Sequence, residues 1–321
     1  MEVVSVDIGG THARFAIAEV AGGKVMRLGP PVTQKTAEHA SLQTAWQAFA
    51  GALDRPAPTA VALSVASPIT GDVIRLTNNP WVIRPSLIPE RLGCDTWTIV
   101  NDFGAIGHAV AQLPAGDFEH LCGPDEPLPD DGVITVCGPG TGLGVAQVLR
   151  AAGRYHVLPT EGGHVDYAPL DSIEDAIVKR LRKTYTRVST ERICAGPGIV
   201  AIYEVLAEME GRAMPSRDDK TIWREALEGE DSIALAALDR FCLALGAVAG
   251  DLALAHGAKA VVIAGGLGLR IKHKLLHSGF GHRFIAKGRF QSMMAAIPVK
   301  LITHPQPGLF GAAAAFAQEH G

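Results

Sequence analysis

A glycine-dense segment between two apolar runs constrains the fold of this chain more than any other feature. It extends from Ile134 to Val148, with glycine at positions 138, 140, 142 and 144. Because glycine lacks a Cβ atom, the backbone can bend sharply there and its N–H groups can approach an anion closely. The segment therefore predicts a strand, a tight loop that could hold a phosphate group, and a second strand.

A similar segment occurs near the start of the chain, from Val6 to Ala16. Its Gly10 and Thr11 align with Gly140 and Thr141, and its first and last residues also match their counterparts. The similarity suggests that the chain consists of two related halves, although two unrelated glycine-rich hairpins would look much the same.

Two familiar phosphate-binding motifs do not fit the later turn. A dinucleotide-binding fingerprint requires glycine at its sixth position, where this chain has Leu143 or Val145, depending on the starting glycine. A P-loop requires Gly-Lys-Ser or Gly-Lys-Thr, and neither tripeptide occurs in the sequence. Both motifs also lead into a helix, whereas the residues after this turn predict a strand.

Length and pattern together predict an α/β protein with more than one lobe. A chain of 321 residues is longer than one hydrophobic core usually grows, so we expect two lobes with a cleft between them. A predicted helix over residues 37–53 precedes a buried strand over residues 60–66, and this alternation is typical of α/β folds.

Composition argues against several classes of protein. A formal net charge of −4 is unlike that of a nucleic-acid-binding protein. Asp239, Arg240 and Asp251 interrupt the longest apolar helix candidate, so we expect no membrane span. Five scattered cysteines and an N-terminus that opens as a strand, without a secretory signal, predict a cytoplasmic protein with reduced thiols.

Asp7 ends the first predicted strand, at the start of the turn 9–11 in a hairpin formed by residues 2–7 and 13–19. Its carboxylate could face a magnesium ion, through water, beside a bound phosphate. It could equally be a turn aspartate that bonds its own backbone. The residues alone favour neither interpretation, and Arg14 could pair with a nearby carboxylate or lie in solvent.

Asn101 and Asp102 follow directly after an apolar strand and precede a predicted helix over residues 105–112. Ligands of open α/β sheets bind at the carboxyl ends of strands, so these side chains are candidates to contact a sugar or another alcohol. The alternative is an Asx turn that only begins the helix, which is common for this dipeptide.

Glu161 and His164 lie in a predicted loop around two paired glycines. One histidine alone is usually structural. A turn that also carries a carboxylate can offer one ligand both an acceptor and a donor. A third glycine turn, Gly265-Gly266, follows a predicted buried strand and gives the backbone another place to lie against a ligand.

In their order along the chain, these motifs resemble those of the bacterial glucokinases of the hexokinase type, within the group that has the actin-like ATPase fold. The resemblance covers essentially the whole chain. It depends on Asp-Ile-Gly-Gly-Thr (7–11), Asn-Asp-Phe (101–103), the glycine turn 138–144, Glu-Gly-Gly-His-Val-Asp (161–166), Ser-Thr-Glu-Arg (189–192), Ala-Gly-Gly (264–266) and Pro-Gly-Leu (307–309).

The resemblance implies two α/β lobes, residues 1–110 plus 302–321 and residues 111–301, with ATP and sugar in the cleft. It implies ATP-dependent phosphorylation of D-glucose at the 6-hydroxyl, giving glucose 6-phosphate and ADP at the first step of glycolysis, by a cytoplasmic homodimer. It gives Asp102 the role of catalytic base and makes Asn101, Glu161, His164 and Glu191 glucose ligands. The ATP site, with Mg²⁺ near Asp7, would comprise Asp7, Ile8, Gly9, Gly10, Thr11, Gly138, Gly140, Thr141, Gly142, Gly265 and Gly266.

Other functions remain possible at this stage. The acceptor could be another hexose, such as mannose, fructose or N-acetylmannosamine. The chain could also be a sugar-responsive regulatory protein, or an ATPase switch without a sugar. The related ROK-type kinases and repressors carry a cysteine-rich zinc motif after the corresponding histidine, whereas Val165 to Pro169 contain no cysteine. Zinc and a repressor role are therefore disfavoured.

Overall fold

A computed structural model of the protein describes residues 1–76, 79–212 and 216–321. The strands are β1 (Glu2–Ile8), β2 (His12–Ala21), β3 (Lys24–Leu28), β4 (Val32–Lys35), β5 (Ala60–Val65), β6 (Ile74–Arg75), β7 (Val82–Ile83), β8 (Thr96–Asn101), β9 (Phe118–Cys122), β10 (Gly132–Pro139), β11 (Leu143–Ala151), β12 (Arg154–Thr160), β13 (Ala258–Ile263) and β14 (Val299–Ile302). The α-helices are α1 (Leu42–Gly51), α2 (Ile88–Leu92), α3 (Asp102–Gln112), α4 (Ser172–Leu181), α5 (Glu191–Cys194), α6 (Gly198–Met209), α7 (Asp219–Glu228), α8 (Ser232–His256), α9 (Gly265–Arg270), α10 (Lys272–His277), α11 (Phe280–Ile285), α12 (Gln291–Ala295) and α13 (Pro307–His320). The mixture of strands and helices confirms the predicted α/β class.

The chain divides into two compact units. The first unit comprises Met1–Pro114, Val157–Pro159 and His304–Gly321, and the second comprises Ala115–His156 and Thr160–Thr303. The lobe boundaries expected from the sequence, near residues 110 and 302, stay a prediction.

The sheet of the first unit has the strand order β3-β2-β1-β5-β8, with β4 also paired to β2. β1 and β2 form the predicted antiparallel hairpin, and β1, β5 and β8 run parallel to one another. Every residue of β5 is buried, as the near-continuous apolar pattern of a central parallel strand predicts. One core packs α1 and α2 against this sheet, and a second core packs α13 against it.

The sheet of the second unit has the order β12-β11-β10-β13-β14-β9. β10 and β11 form an antiparallel hairpin, and β10, β13 and β14 run parallel. The four strands β11-β10-β13-β14 therefore repeat the order and directions of β2-β1-β5-β8. This repeat in topology supports the two related halves suggested by the two glycine turns.

Several helix boundaries differ from those expected. The segment 37–53 contains a short 3-10 turn and then α1, which begins only after Ser41 because that side chain caps the N–H of Thr44. The segment Ser172-Ile173-Glu174-Asp175 has the pattern of a capping box, but Asp171 is the N-cap of α4 and accepts hydrogen bonds from the N–H groups of Ile173 and Glu174. The helical segment 218–257 is divided in two, because Gly229, in the left-handed conformation, ends α7 before α8 starts.

By length and composition alone, α8 could cross a membrane, and it is the one helix in the described part of the chain that could. Its charged residues therefore do not exclude a span, contrary to the expectation from the sequence. However, 72% of the apolar stretch is buried inside the protein. This burial indicates a core helix, which packs against α6, α7 and α11.

Close packing of α13 against α3 depends on the small residues of α13. A Cβ atom at Gly311 would lie only 1.8 Å from the carbonyl oxygen of Ala105 in α3. The residues after it, Ala312 to Phe316, are buried, as the sequence predicts for a helix that packs closely. Gly311 therefore sets the distance between the two helices.

We predict that Gly311→Ala lowers the free energy of unfolding by about 1–3 kcal/mol, because the new methyl group collides with backbone atoms that cannot move cheaply. Gly51→Ala is the matched control, since Gly51 is exposed and a Cβ atom there meets nothing within 4 Å. The control should be neutral or slightly stabilising. Urea unfolding of both variants measures the difference, and equal midpoints would contradict the packing role of Gly311.

Candidate active site

The first glycine turn joins β1 to β2 and is fixed through its carbonyl groups. The buried Asn79 donates a side-chain hydrogen bond to the Gly9 oxygen at 3.1 Å. The Thr36 hydroxyl donates to the Gly10 oxygen at 2.9 Å, and the Thr36 N–H donates to the Thr11 oxygen at 3.0 Å. Three consecutive carbonyl groups are thus held by residues outside the turn.

This anchoring directs the N–H groups of the turn. A trans peptide is planar, so the N–H of each residue points opposite to the carbonyl of the preceding residue. With the carbonyl groups of Gly9 and Gly10 bound to their partners, the N–H groups of Gly10 and Thr11 face the other way. Successive N–H groups on one side of a turn form a concavity that attracts anions.

Asp7, at the end of β1, is held by residues of the first unit. Its Oδ1 accepts a hydrogen bond from the Ser64 hydroxyl at 3.0 Å, and its Oδ2 lies 3.3 Å from Nη1 of Arg14. A Cβ atom at Gly308 would lie 2.8 Å from the carboxyl group, so only glycine leaves room for it. Burial raises the pKa of Asp7, and the bonds from Ser64 and Arg14 only partly offset this effect.

Asn101 and Asp102 lie where β8 meets α3. The Asn101 Oδ1 accepts hydrogen bonds from the N–H groups of Phe103 and Gly104, so Asn101 is the N-cap of the helix. Its Nδ2 donates to the Ser67 oxygen at 3.2 Å. The capping interpretation of Asn101 is therefore confirmed, and α3 begins at Asp102, earlier than expected. The Asp102 Oδ1 accepts from the Phe103 N–H at 2.9 Å.

The second glycine turn, between β10 and β11, differs from the expected phosphate cradle. The Gly140 N–H is donated to the Gly142 oxygen at 2.8 Å, so the expectation that this N–H is open to an anion is wrong. Gly138 is needed for packing, because a Cβ atom there would lie 2.4 Å from the Ala264 oxygen. Thr141 is exposed at the tip of the turn.

Gly265 and Gly266 begin α9 directly after β13, where the sequence predicts a turn. Gly265 has a φ of +82°, and a Cβ atom there would lie 2.6 Å from the Pro139 oxygen. Glycine is therefore required at this position for both backbone conformation and space. Gly266 is exposed, and a Cβ atom there meets nothing within 4 Å. The two glycine segments of the second unit thus pack against each other.

Glu161, His164 and Glu191 come together in the second unit. The His164 Nε2 lies 3.9 Å from Oε2 of Glu161 and 4.0 Å from Oε1 of Glu191. The Glu161 and His164 side chains are 67% and 57% exposed, whereas Glu191 is 24% exposed. Two carboxylates and an imidazole therefore converge at the surface of this unit, where they can bind several hydroxyl groups of one ligand.

Backbone contacts hold the loop that carries Glu161 and His164. Thr190, next to Glu191, donates its hydroxyl to the Gly163 oxygen at 2.7 Å and its N–H to the Val165 oxygen at 2.9 Å. A Cβ atom at Gly163 would lie 2.1 Å from the Leu143 oxygen. The sequence segments 161–166 and 189–192 are thus fastened together, which places their polar side chains side by side.

Sequence reasoning missed the residues that hold the first glycine turn and Asp7 in place. Thr36, Ser64 and Asn79 come from other segments, and no local pattern marks them as partners of the first turn. The sequence did mark Gly308, because Pro307-Gly308-Leu309 is one of the motifs shared with the glucokinases. Its close approach to the Asp7 carboxyl group, however, depends on the fold.

Comparisons with known proteins agree over the whole chain. The family model described as glucokinase matches residues 4–319. A curated glucokinase from Zymomonas mobilis is 60% identical over 320 residues, which cover 100% of this chain and 99% of that protein.

Solved structures show the same similarity. A glucokinase from an Antarctic psychrotroph superposes with a TM-score of 0.86 at 33% identity, covering 98% of each chain. A glucokinase from Balamuthia mandrillaris, solved in complex with glucose, has a TM-score of 0.77 at 22% identity and covers 99% of this chain and 93% of its own. The second likeness concerns the fold alone.

We predict that Asp7→Asn stabilises the protein at neutral pH in the absence of metal and nucleotide. Burial raises the pKa of Asp7 above its unfolded value, so the charged carboxylate costs stability once the pH exceeds the folded pKa. This destabilisation disappears as the pH falls from the pKa of Asp7 in the folded protein to its pKa in the unfolded protein. Urea unfolding in EDTA at about pH 7.5 and about pH 4.5 should show a stabilisation that shrinks at the lower pH.

The control for Asp7→Asn is Glu19→Gln, which removes an exposed carboxylate from the neighbouring strand. It should change stability little at either pH, because exposed ion pairs contribute about 0–1 kcal/mol. A destabilised Asp7→Asn protein at neutral pH would show that the contacts from Ser64 and Arg14 outweigh the cost of burial.

Proposed function

Because the chain belongs to the glucokinase family, we propose that it transfers the terminal phosphoryl group of ATP to the 6-hydroxyl of D-glucose. The products are glucose 6-phosphate and ADP, and the reaction is the first step of glycolysis. The observation that carries this proposal is the match of the family model to residues 4–319. The local geometry supports it, because polar side chains suited to a sugar and turns suited to phosphate are both present.

The sugar ligands we propose are Asn101, Glu161, His164 and Glu191. Carboxylates accept hydrogen bonds from sugar hydroxyl groups, and the imidazole can accept or donate according to its tautomer. The amide oxygen of Asn101 already caps α3, so its Nδ2, which has a second hydrogen to donate, is the atom that can reach the sugar. A site that satisfies each hydroxyl discriminates strongly against sugars that lack one.

Asp102 is the proposed general base. A sugar hydroxyl is a weak nucleophile at neutral pH, so a carboxylate that accepts its proton as the bond to phosphorus forms accelerates transfer by ~10² to 10⁴. Asp102 is the first residue of α3, and Asn101 caps the same helix turn. The rigid junction of strand and helix thus fixes the base beside a proposed sugar ligand.

The proposed ATP site uses the glycine segments. The N–H groups of Gly10 and Thr11 and the hydroxyl groups of Thr11 and Thr141 are suited to hold phosphate oxygens. The other residues proposed for this site are Gly9, Gly138, Gly140, Gly142, Gly265 and Gly266, and Ile8 leads into the first turn.

Asp7 fits a magnesium ion held through water. Its carboxyl group is half-buried, Gly308 leaves room for it, and burial raises its pKa because the bonds from Ser64 and Arg14 offset the effect only in part. Mg²⁺ is commonly bound by one or two carboxylates together with substrate phosphates, and it neutralises the charge of the transferring group. The protein's own contribution is the position of Asp7, set by Ser64 and Arg14.

The remaining expectations are proposals that follow from family membership. The two units correspond to the two lobes of the actin-like ATPase fold, and the repeated strand order supports this assignment. Three further expectations stay predictions: the substrates bind between the lobes, the protein is a cytoplasmic homodimer, and glucose is preferred over other hexoses. The full-length family match does not favour a regulatory protein or an ATPase switch.

The first test of the function is release of ADP from Mg-ATP, measured with glucose, mannose, fructose, N-acetylmannosamine and no sugar. Turnover that depends on glucose supports the kinase. Release of ADP at the same rate with every sugar and without sugar would overturn it in favour of an ATPase switch.

We predict that Asp102→Ala folds normally, binds glucose within about tenfold of the native protein and loses ~10² or more of kcat. The substitution removes the proton acceptor, while Asn101 still accepts a hydrogen bond from the Phe103 N–H. Asp95→Ala is the matched control, since Asp95 is an exposed aspartate at the opposite end of β8. Steady-state kinetics and calorimetric glucose binding measure the two effects. Unchanged turnover would show that Asp102 is not the base.

We predict that Glu161→Gln and His164→Ala raise KM for glucose by about tenfold or more and leave KM for ATP nearly unchanged, because each loses a hydrogen bond to the sugar. His277→Ala, at an exposed histidine of α10, is the control and should alter neither constant. If ATP binding weakened while KM for glucose stayed constant, the loop would belong to the nucleotide site.

A further inference from the structure

The two oxygens of the Glu191 carboxylate have different surroundings. Oε2 accepts a hydrogen bond from the backbone N–H of Leu143 at 3.0 Å, at the end of the glycine turn that begins β11. Oε1 lies 4.0 Å from Nε2 of His164, beside the other proposed sugar ligands. One carboxylate therefore contacts both the turn and the sugar-binding cluster.

The contact between Glu191 and the turn requires glycine at position 142. A Cβ atom at Gly142 would lie 2.5 Å from Oε2 of Glu191 and 3.3 Å from its Cδ. Any side chain at position 142 therefore displaces the carboxylate or the turn. The glycine is required here by the position of Glu191, and its φ lies outside the left-handed region.

Two further contacts fasten the turn to the same part of the second unit. The Gly196 N–H, just beyond α5, donates to the Gly140 oxygen at 2.8 Å. Gly163, between Glu161 and His164, lies so close to the turn that a Cβ atom there would be 2.1 Å from the Leu143 oxygen. The turn is therefore in direct contact with both the sugar-binding loop and the segment that follows α5.

We infer that Glu191 couples the two substrates: it binds the sugar through Oε1 and positions the nucleotide turn through Oε2. The inference deepens the proposed function and rests on it. Glucose bound at Oε1 fixes the rotamer of Glu191, which holds the Leu143 N–H and with it the turn 140–142. Nucleotide then binds to a turn that is already ordered, and linkage requires that nucleotide strengthen glucose binding by the same factor.

Glu161 offers a contrast within the same cluster. It is also a proposed sugar ligand, yet its side chain is 67% exposed and its Oε2 lies 3.9 Å from Nε2 of His164. The two glutamates should therefore both affect glucose affinity, but only Glu191 should affect how glucose and nucleotide influence each other.

The test is a binding cycle measured by titration calorimetry with glucose and with AMPPNP plus Mg²⁺, a donor that does not transfer its phosphate. Each ligand is titrated alone and in the presence of the other, and the ratio of dissociation constants gives the coupling factor. For the native protein we expect a factor of at least about fivefold, within the usual range of coupling between sites.

Three variants separate positioning from simple ligand loss. Glu191→Ala removes both contacts, so we expect weaker glucose binding and a coupling factor within about twofold of one. Glu191→Gln keeps an oxygen that accepts the Leu143 N–H, so we expect weaker glucose binding with coupling retained. Gly142→Ala keeps the Glu191 carboxylate but forces it from the turn, so coupling should fall as in Glu191→Ala.

Glu161→Gln is the control, and it should weaken glucose binding without changing the coupling factor. Urea unfolding checks that each variant is folded, and the two conservative variants, Glu191→Gln and Gly142→Ala, keep the test valid if Glu191→Ala is unstable. A native coupling factor of one, or full coupling in both Glu191→Ala and Gly142→Ala, overturns the inference and leaves the proposed function intact. A native protein that binds neither ligand overturns the proposed function as well.

Discussion

Close approach of backbone segments at glycine is the constraint on which the rest of this structure depends. At Gly138, Gly163 and Gly311, a Cβ atom would lie within 2.4 Å of a carbonyl oxygen from another segment. No side chain fits into such a space, and the neighbouring atoms belong to backbone that cannot rotate away. These positions therefore fix how strands, loops and helices pack within each unit, before any polar contact is considered.

The same constraint places the functional candidates. Four of the parallel strands end at a glycine turn or at a polar residue. β1 ends before the turn 9–11, β8 ends at Asn101, β10 ends at Gly138–Pro139, and β13 ends just before Gly265. Carboxyl ends of parallel strands are where ligands of α/β sheets bind. Because the two units repeat one strand order, each presents its glycine turn at the equivalent place in its own sheet.

The sequence was sufficient for the features that depend on local pattern. Alternation of strand and helix predicted the α/β class, and the repeated glycine turns predicted two hairpins with equivalent places in the two sheets. It was insufficient where partners come from distant segments. Asn79 and Thr36 hold the carbonyl groups of the first turn, and nothing near either residue identifies that role. The bond from the Gly140 N–H within its own turn also could not be inferred, because a glycine-rich sequence permits many turn conformations.

Asn101 shows why two interpretations of one residue need not compete. Its amide oxygen is used to cap α3, which is the structural interpretation, while its amide nitrogen bonds the Ser67 carbonyl group and retains a second hydrogen. The cap determines the orientation of the amide, and that orientation determines which atom a ligand can meet. A residue fixed by its structural bonds loses less entropy when it binds a ligand, so capping lowers the entropic cost of the sugar contact proposed for Asn101.

The proposed sugar ligands fall into two classes by whether a backbone group of the protein holds them. Asn101 and Glu191 are held by backbone groups, at the start of α3 and at the Leu143 N–H. Glu161 and His164 are mostly exposed, and their side chains lie 3.9 Å apart, beyond hydrogen-bond distance. Asn101 and Glu191 are each positioned within their own unit, whereas we expect the exposed side chains of Glu161 and His164 to become ordered when the proposed sugar binds. Such a division lets binding energy order the Glu161 and His164 side chains only when a ligand with the right hydroxyl groups is present.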